Sequence, residues 1–240
     1  MSPNPFALWV YLSQQPLLWL TVTLFVYAAA DALSLATGRH PFANPVFHSM
    51  WILAAFLLLT GTSYTTYFSG AQFVHFLLGP ATVALAVPLY ENRKTVLAAI
   101  VPMLGALVVG CITAIVSVVA LAKAFGLPDK VTLSLAPKSV TAGVAMGISE
   151  SLGADASLTA VAVVLTGIMG AIIVTPMMDR MRITDYRARG FAVGLASHGI
   201  GVARAFQVDA MAGVFAGIAM SLNALVTSLL VPIAVTLLVR

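Results

Sequence analysis

The sequence predicts an all-α polytopic membrane protein with about seven to eight membrane segments, two of them discontinuous or re-entrant helices around Pro137 and around His198–Gly201. Of its 240 residues, 60% are hydrophobic and only 8% are charged, with a mean hydropathy of +1.02. Long stretches hold no Asp, Glu, Lys or Arg, and a bilayer crossing needs only about 20 apolar residues. Proline and glycine interrupt two further apolar segments, where a spanning helix loses backbone hydrogen bonds. The uncharged stretches are 41–90, 95–122, 156–178 and 210–239.

The first half of the chain begins with an expected span over 17–37 and a short one over 46–60. The next segment, "GTSYTTYFSGAQ" at 61–72, is polar and aromatic without charge, which is typical of an interfacial or partly buried loop. The span that follows carries Pro80 and Pro88. Each proline removes a backbone hydrogen bond, so we expect a kinked or discontinuous helix, with Pro80 and Pro88 as the helix-breaking residues.

The second half predicts continuous helices over 95–122, 156–178 and 210–239, with the two interrupted segments between them. An ungapped alignment of residues 78–87 with 135–144 matches a leucine, a proline and two valines. Paired proline-interrupted segments in the two halves of a chain are typical of inverted-repeat transporters. The sequence therefore predicts one integral membrane domain over 1–240, with halves 1–126 and 127–240 and an inverted-repeat transporter fold.

Basic residues predict the orientation of the chain. Four of the twelve Lys and Arg residues lie in 180–189, and such clusters mark cytoplasmic loops. If Arg93 and Lys94 are also cytoplasmic, three segments lie between the two basic sites, so one of them does not cross. The segment around Pro137 is the expected exception. The N-terminus lacks the basic region of a cleavable signal, so we expect a multi-pass protein of the bacterial cytoplasmic (inner) membrane.

Lys138 lies in "LAPKSVTAGVAMG", an otherwise uncharged stretch. A charge at membrane depth costs at least about 2.5 kcal/mol, so it requires a compensating interaction. One interpretation is a substrate site for an anion, formed by Lys138, the hydroxyls of Ser139 and Thr141, and the free amides of a helix that starts after Pro137. The other is a lysine near a helix end whose side chain extends to the headgroups.

A second candidate substrate-binding segment is "ASHGIGVAR", with Ser197, His198, Gly199 and Arg204. On a continuous helix, the directions of His198 and Arg204 differ by about 600°, so the two side chains lie on nearly opposite faces. A break at the glycines, with Gly201 as the breaking residue, is needed to bring them together. Arginine then offers bidentate binding of a carboxylate, and histidine a hydrogen bond or a proton. The alternative is a histidine bonded within the bundle and an arginine at the interface.

Several functional classes have no support in the sequence. The net charge of +4 comes largely from one loop and does not indicate nucleic-acid binding. The single cysteine, Cys111, and four scattered histidines predict neither a disulfide nor a metal site, and no cofactor is expected. No nucleotide-binding loop or nucleophile elbow is present, so we do not expect an enzyme. Three GxxxG patterns, at 143–147, 190–194 and 213–217, favour close packing of helices.

Several of these motifs together resemble the LrgB/CidB family of bacterial membrane proteins. They are "ANP" at 43–45, "GTSYTTYFSGA" at 61–71, "LGPATVALAVPLYENR" at 78–93, "LAPKSVT" at 135–141 and "RARGFAVGLASHGIGVAR" at 187–204. The resemblance extends from about Asn44 to the C-terminus, and the PKSVT and ASHxxGxAR elements are specific in combination. Relatives typically continue PKSVT with TPIAM, whereas this chain has Ala142 and Gly143 in place of the threonine and the proline, so a hydroxyl is lost and the kink is no longer fixed by a proline.

The resemblance implies two possible activities. One is secondary transport of small monocarboxylates such as glycolate, glycerate or pyruvate, driven by H⁺ or Na⁺. The other is holin-like or antiholin-like control of murein hydrolase export and autolysis, together with a small LrgA/CidA-type membrane partner. The expected partners are therefore a small carboxylate anion, an LrgA/CidA-like protein and a second copy of the chain in a dimer. A wide pore has no need of single buried charges at helix breaks, which favours the carrier.

Overall fold

A computed structural model describes residues 11–84 and 86–238 of the chain, which are almost entirely helical. These residues form two compact units that divide between Ala86 and Val87. Within the described part, five helices are long and apolar enough to cross a membrane. The all-α membrane fold is therefore confirmed, while the count of seven to eight segments stays a prediction.

In the described part of the N-terminal unit, three long helices pack around Trp19, whose side chain is fully buried. Its indole packs edge-on against the rings of Phe56 and Tyr67, with centroids 6.1 and 6.0 Å away. Gly70 lets two helices approach closely, since a Cβ at that position would overlap backbone atoms of the facing helix. The helices are α1 (Pro16–Ala36), α2 (Pro45–Thr60) and α3 (Tyr64–Ala84).

Two predictions about this region are wrong. The segment 61–72 is not an interfacial loop, because α3 already begins at Tyr64. Only Gly61, with a φ of 62°, and the two residues after it connect α2 to α3. The helix is also not discontinuous at Pro80, because this residue lies inside α3, which continues to Ala84. A membrane helix tolerates a proline where other groups bond the carbonyl it leaves free.

The second unit, which contains all the predicted substrate-binding residues, is built from helical segments of very different lengths. In the described part of the chain they are α4 (Ala86–Glu91), α5 (Arg93–Ala98), α6 (Ile100–Ala124), α7 (Asp129–Leu135), α8 (Ala142–Ser151), α9 (Ala156–Arg180), α10 (Tyr186–Val208) and α11 (Ala210–Leu238). Pro88 lies within α4, so it marks no helix end. The backbone is helical at Pro80 but forms a turn at Pro137, so the two aligned segments do not share one conformation.

The two short helices α7 and α8 form a re-entrant hairpin, which we call the first hairpin, with residues 136–141 as its tip. The Oγ1 atom of Thr159, at the start of α9, lies 2.8 Å from the Ser134 carbonyl oxygen and 2.6 Å from the Ser149 hydroxyl. Ser134 lies near the end of α7 and Ser149 near the end of α8, so α9 starts beside both helices. The re-entrant segment expected around Pro137 is therefore confirmed.

This hairpin explains the orientation of the basic residues. It enters and leaves on one side, so only α6 and α9 cross between Lys94 and Arg180. Two crossings return the chain to its starting side. The basic sites at 93–94 and 180–189 consequently lie on the same side of the membrane, as the distribution of positive charge predicts.

Helix α10 also turns back, at His198, and forms what we call the second hairpin, with residues 197–199 as its tip. His198 has φ 42° and ψ −138°, which no helix accommodates. A Cβ built on Gly201 would lie 2.6 Å from the carbonyl oxygen of Val193. Residues eight apart on a continuous helix are about 12 Å apart, so the two halves lie side by side. The predicted discontinuity is confirmed, with the break at His198 rather than at Gly201.

The two hairpins enter from opposite ends of α9. The first lies against its N-terminal end through Thr159. The second begins near its C-terminal end, where Arg189 forms an ion pair with Asp179. Helix α10 packs closely on α11, because a Cβ at Gly190 or Gly194 would overlap a backbone carbonyl there. The GxxxG pattern at 190–194 thus packs helices closely, as predicted, whereas the glycines of the 143–147 pattern face open space.

The first hairpin makes a topological prediction. In a Cys111→Ser background, single cysteines replacing Leu127 and Ser151 are expected to react with an impermeant maleimide from the same side of oriented membrane vesicles. A cysteine replacing the exposed Met181 is expected to react only from the opposite side, because α9 crosses between them. Labelling of positions 127 and 151 from opposite sides would show that the segment crosses the membrane.

Candidate functional site

The tips of the two hairpins meet at a cavity of about 460 Å³. Non-helical backbone at membrane depth occurs only where it is buried in protein or lines a water-filled cavity, and both tips are largely buried in protein. Most of the wall is apolar, and it comes from α9 and the first half of α10. The lining residues are Ala114, Lys138, Ser139, Leu165, Thr166, Met169, Gly170, Ile173, Val174, Met177, Met178, Ala192, Val193, Ala196 and Ser197.

Lys138 is the cationic residue of this cavity. Its side chain is half-buried and has no acidic partner among the described residues. Neighbouring Ser139 is only 3% exposed and also lines the cavity. An ammonium in apolar surroundings without a counter-ion is costly, and a bound anion is the direct way to offset that cost.

The polar groups at the first tip differ from those predicted for the anion site. Helix α8 begins at Ala142, four residues after Lys138, with Thr141 as its N-cap. Thr141 does not line the cavity, and its side chain makes no capping hydrogen bond. The prediction that Lys138 starts a helix is therefore wrong, because residues 136–141 form a turn and not a helical end. The side chains of the tip, rather than helix amides, supply the polar groups.

Ser197 supplies a polar group from the second tip. Its side chain is fully buried, and its Oγ has no hydrogen-bond partner among the described residues. A buried hydroxyl without a partner is uncommon, and water or a bound group at this position would supply the missing hydrogen bond. Gly170 on α9 makes room for it, because a Cβ there would coincide with the Ser197 hydroxyl.

His198 and Gly199 do not line the cavity. The His198 ring points towards α9, where Nε2 lies 2.9 Å from the carbonyl oxygen of Val163. A carbonyl only accepts, so Nε2 carries the hydrogen of this bond. Gly167 provides the necessary space, since a Cβ there would lie 2.7 Å from the imidazole Cε1. His198 therefore anchors the second tip, and Gly199 is exposed at the turn.

Arg204 lines a second, much smaller cavity of about 20 Å³, which shares the wall residues Val174, Met178 and Val193 with the first. It is 5% exposed, and its Nη2 donates to the Thr175 hydroxyl over 3.4 Å. The expected convergence of His198 and Arg204 is wrong, because the second half of α10 runs back from the tip. Six residues of helix carry Arg204 about 9 Å away from it.

The charged groups at the membrane face contrast with Lys138. Arg187 forms an ion pair with Asp185, 2.6 Å between Nη2 and Oδ2, and this hydrogen-bonded guanidinium holds the pKa of the Asp185 carboxyl below its usual range. Arg189 pairs with Asp179. The basic loop is thus partly neutralised by its own acids, while the ammonium in the cavity is not.

Two contributors escaped the sequence analysis. Gly170 could not be recognised from the sequence, because glycine occurs in apolar membrane helices for many structural reasons. Asn223 could have been: it is the sole asparagine in the uncharged run 210–239, and an amide at that depth requires partners. It is 1% exposed and donates to the backbone of both hairpins.

The second unit thus defines a class of helical membrane protein in which two re-entrant hairpins from opposite faces meet at a largely apolar cavity that holds one lysine. The chain belongs to the LrgB-like family, whose model matches residues 23–237. It is 34% identical over 226 residues to the "Uncharacterized protein YxaC" of Bacillus subtilis (strain 168), covering 93% of this chain and 98% of that protein.

It is also 31% identical over 223 residues to the "Holin-like protein CidB" of Staphylococcus aureus (strain Mu50 / ATCC 700699), covering 93% of this chain and 97% of the relative. The corresponding CidB of Staphylococcus epidermidis (strain ATCC 12228 / FDA PCI 1200) is 29% identical with the same coverage. No solved structure matches the chain. The membership in a family of holin-like membrane proteins agrees with the resemblance noted from the motifs.

Proposed function

We propose that this member of the holin-like family acts as a secondary carrier of small monocarboxylates across the bacterial cytoplasmic membrane. The observation that carries the proposal is the pairing of an ammonium without an acidic partner, on Lys138, with a buried hydroxyl without a partner, on Ser197, among the described residues. The two groups come from opposite hairpins. A carboxylate accepts hydrogen bonds from both, and charge-assisted bonds of this kind are the stronger ones.

The lining of the cavity favours a substrate with one carboxylate group over a substrate with two. Lys138 is the sole cationic side chain among the described residues of its wall, and most of the remaining wall is aliphatic or methionine. A second carboxylate would be buried without a counter-charge, which costs several kcal/mol. The volume of about 460 Å³ lies within the usual range for sites of small molecules and leaves room for water.

The two-hairpin arrangement supports a carrier more than a wide pore. A carrier needs a site near the middle of the membrane that opens to each side in turn, and broken helices commonly build such sites. Here one tip belongs to each face, so movement of either hairpin opens the cavity to one side. The driving ion, H⁺ or Na⁺, is part of the proposal. No enzymatic step is needed.

A holin-like role in murein hydrolase export and autolysis is the second candidate. The names of the CidB relatives support it more directly than they support transport. Gly143 and Gly147, which face open space on α8, offer a surface of small residues for dimerisation or for an LrgA/CidA-type membrane partner. This role requires that oligomers release solutes of many kinds.

Reconstitution distinguishes the two functions. In proteoliposomes with an imposed proton or sodium gradient, we expect saturable uptake of glycolate, glycerate or pyruvate, and weak competition by dicarboxylates such as succinate. The reason is that the cavity neutralises one charge only. Liposomes that take up no short monocarboxylate would refute the carrier. Leakage of unrelated neutral solutes, insensitive to competing carboxylates, would support the holin-like role instead.

A further inference from the structure

A single asparagine of α11 bonds to both hairpins. The Nδ2 atom of Asn223 donates to the carbonyl oxygen of Ser139 over 3.1 Å and to that of Leu195 over 2.9 Å. Ser139 belongs to the first tip, and Leu195 lies two residues before the second tip. The two hydrogens of one amide nitrogen are therefore divided between the two elements that enclose the cavity.

The oxygen of the same amide is held from the other side. Oδ1 of Asn223 accepts from the Thr227 hydroxyl over 2.8 Å and from the Cys111 thiol over 3.1 Å. Both donors have hydrogens to give, so they fix which end of the amide is the oxygen. All four bonding positions of the side chain are used, so its orientation is fixed by the donors on α6 and α11 and by the two accepting carbonyls of the hairpins.

The two accepting carbonyls lie where helical bonding ends. The last carbonyls of a helix have no partner within it, and at membrane depth an unbonded carbonyl is costly. Ser139 lies in the turn after α7, and Leu195 lies in the last turn before the break at His198. Asn223 thus satisfies one such carbonyl from each hairpin.

We propose that Asn223 is a positioning residue that holds the tips of the two hairpins together at the cavity. Neither tip leaves α11 without losing a hydrogen bond in apolar surroundings, so the amide stabilises the state in which both tips enclose the site. Its consequence for transport rests on the proposed carrier function, whereas its consequence for the separation of the hairpins does not.

The native thiol of Cys111 reports on that separation. It is 1% exposed, and it packs with Phe191 of the second hairpin in one apolar cluster. Asn223→Leu keeps a side chain of similar volume over the thiol but removes both bonds to the hairpins, together with the bond from the thiol to Oδ1 that Thr227→Val leaves in place. We expect the rate of Cys111 alkylation by N-ethylmaleimide to rise about tenfold, because loss of these bonds raises the population of open states.

Thr227→Val is the matched control. It removes a polar neighbour of the thiol, 4.0 Å from Sγ, and one of the two donors to Oδ1 of Asn223, but it leaves both Nδ2 bonds to the hairpin carbonyls in place. Its alkylation rate is expected to stay within about a factor of two of the wild-type rate. Equal rates in the wild type and in a monodisperse Asn223→Leu protein would overturn the proposal. If that variant does not fold, Asn223→Gln displaces the amide by one methylene and should also raise the rate; no rise there would overturn it.

Transport gives an independent measurement. In liposomes that take up a carboxylate, Asn223→Leu is expected to raise KM more than it lowers the maximal rate, because the two tips enclose the substrate-binding cavity in a smaller fraction of the molecules. Ser221→Ala, which removes a hydroxyl bonded only within α11, should change neither value. If Asn223→Leu raises the alkylation rate of Cys111 but liposomes containing the wild-type protein transport no carboxylate, the positioning role of Asn223 stands and the carrier function is refuted.

Discussion

Lys138→Ala is expected to lower the affinity for a monocarboxylate by about 30- to 100-fold, because it removes the cation from the cavity between the hairpins. The apo protein should not become less stable. The ammonium has no acidic partner among the described residues, so its removal takes away a desolvated charge rather than a salt bridge. A thermal-shift titration with glycolate or pyruvate measures both quantities, since a ligand stabilises only the folded state to which it binds.

Lys130→Ala is the control for this variant. Lys130 is the other lysine of the first hairpin, at its exposed base. Its removal changes the net charge of the protein equally but leaves the cavity intact, so ligand-dependent stabilisation should be unchanged. Lys138→Arg keeps the charge and should retain part of the affinity. Full carboxylate binding by a folded Lys138→Ala protein would contradict the site.

Gly170→Ala is expected to abolish detectable binding while the protein still inserts in the membrane. A Cβ at this position would coincide with the Ser197 hydroxyl, so the second tip must move away from α9. Overpacking of this kind typically costs about 1–3 kcal/mol. We expect a lower melting temperature and loss of carboxylate-dependent stabilisation, measured on purified protein.

Gly105→Ala tests whether the effect belongs to the site. Gly105 also lies inside a spanning helix, α6, but nothing lies within 4 Å of a Cβ built there. Alanine has the higher helix propensity, so this variant should be as stable as the wild type or slightly more stable. Unchanged ligand binding in Gly170→Ala would show that the Ser197 hydroxyl does not face the bound substrate.

Part of the site was predictable from local sequence. A proline followed by a lysine in an apolar segment indicates both a broken helix and a charge that needs a partner, and the structure places Lys138 in the cavity. Counting crossings between basic loops identified the same segment as re-entrant. Both arguments work because a bilayer penalises unbonded backbone and unpaired charge wherever they occur.

The second hairpin shows where such reasoning fails. The motif around His198 predicted a break, but it did not show which side chains face the cavity. His198 turns to the Val163 carbonyl and Arg204 returns towards the membrane face, so Ser197 alone contributes from this tip. Direction after a break depends on which neighbouring helices have room, here at Gly167 and Gly170.

Apolar length, basic loops and helix breakers act locally, so the amino-acid sequence alone is enough to recognise a helical membrane protein of the LrgB-like family with two interrupted segments. That both segments are hairpins from opposite faces, and that Asn223 joins them, becomes visible only once the helices are packed. Those contacts connect Asn223 to residues 84 positions away at Ser139 and 28 positions away at Leu195. They depend on close packing among helices, which no local pattern encodes.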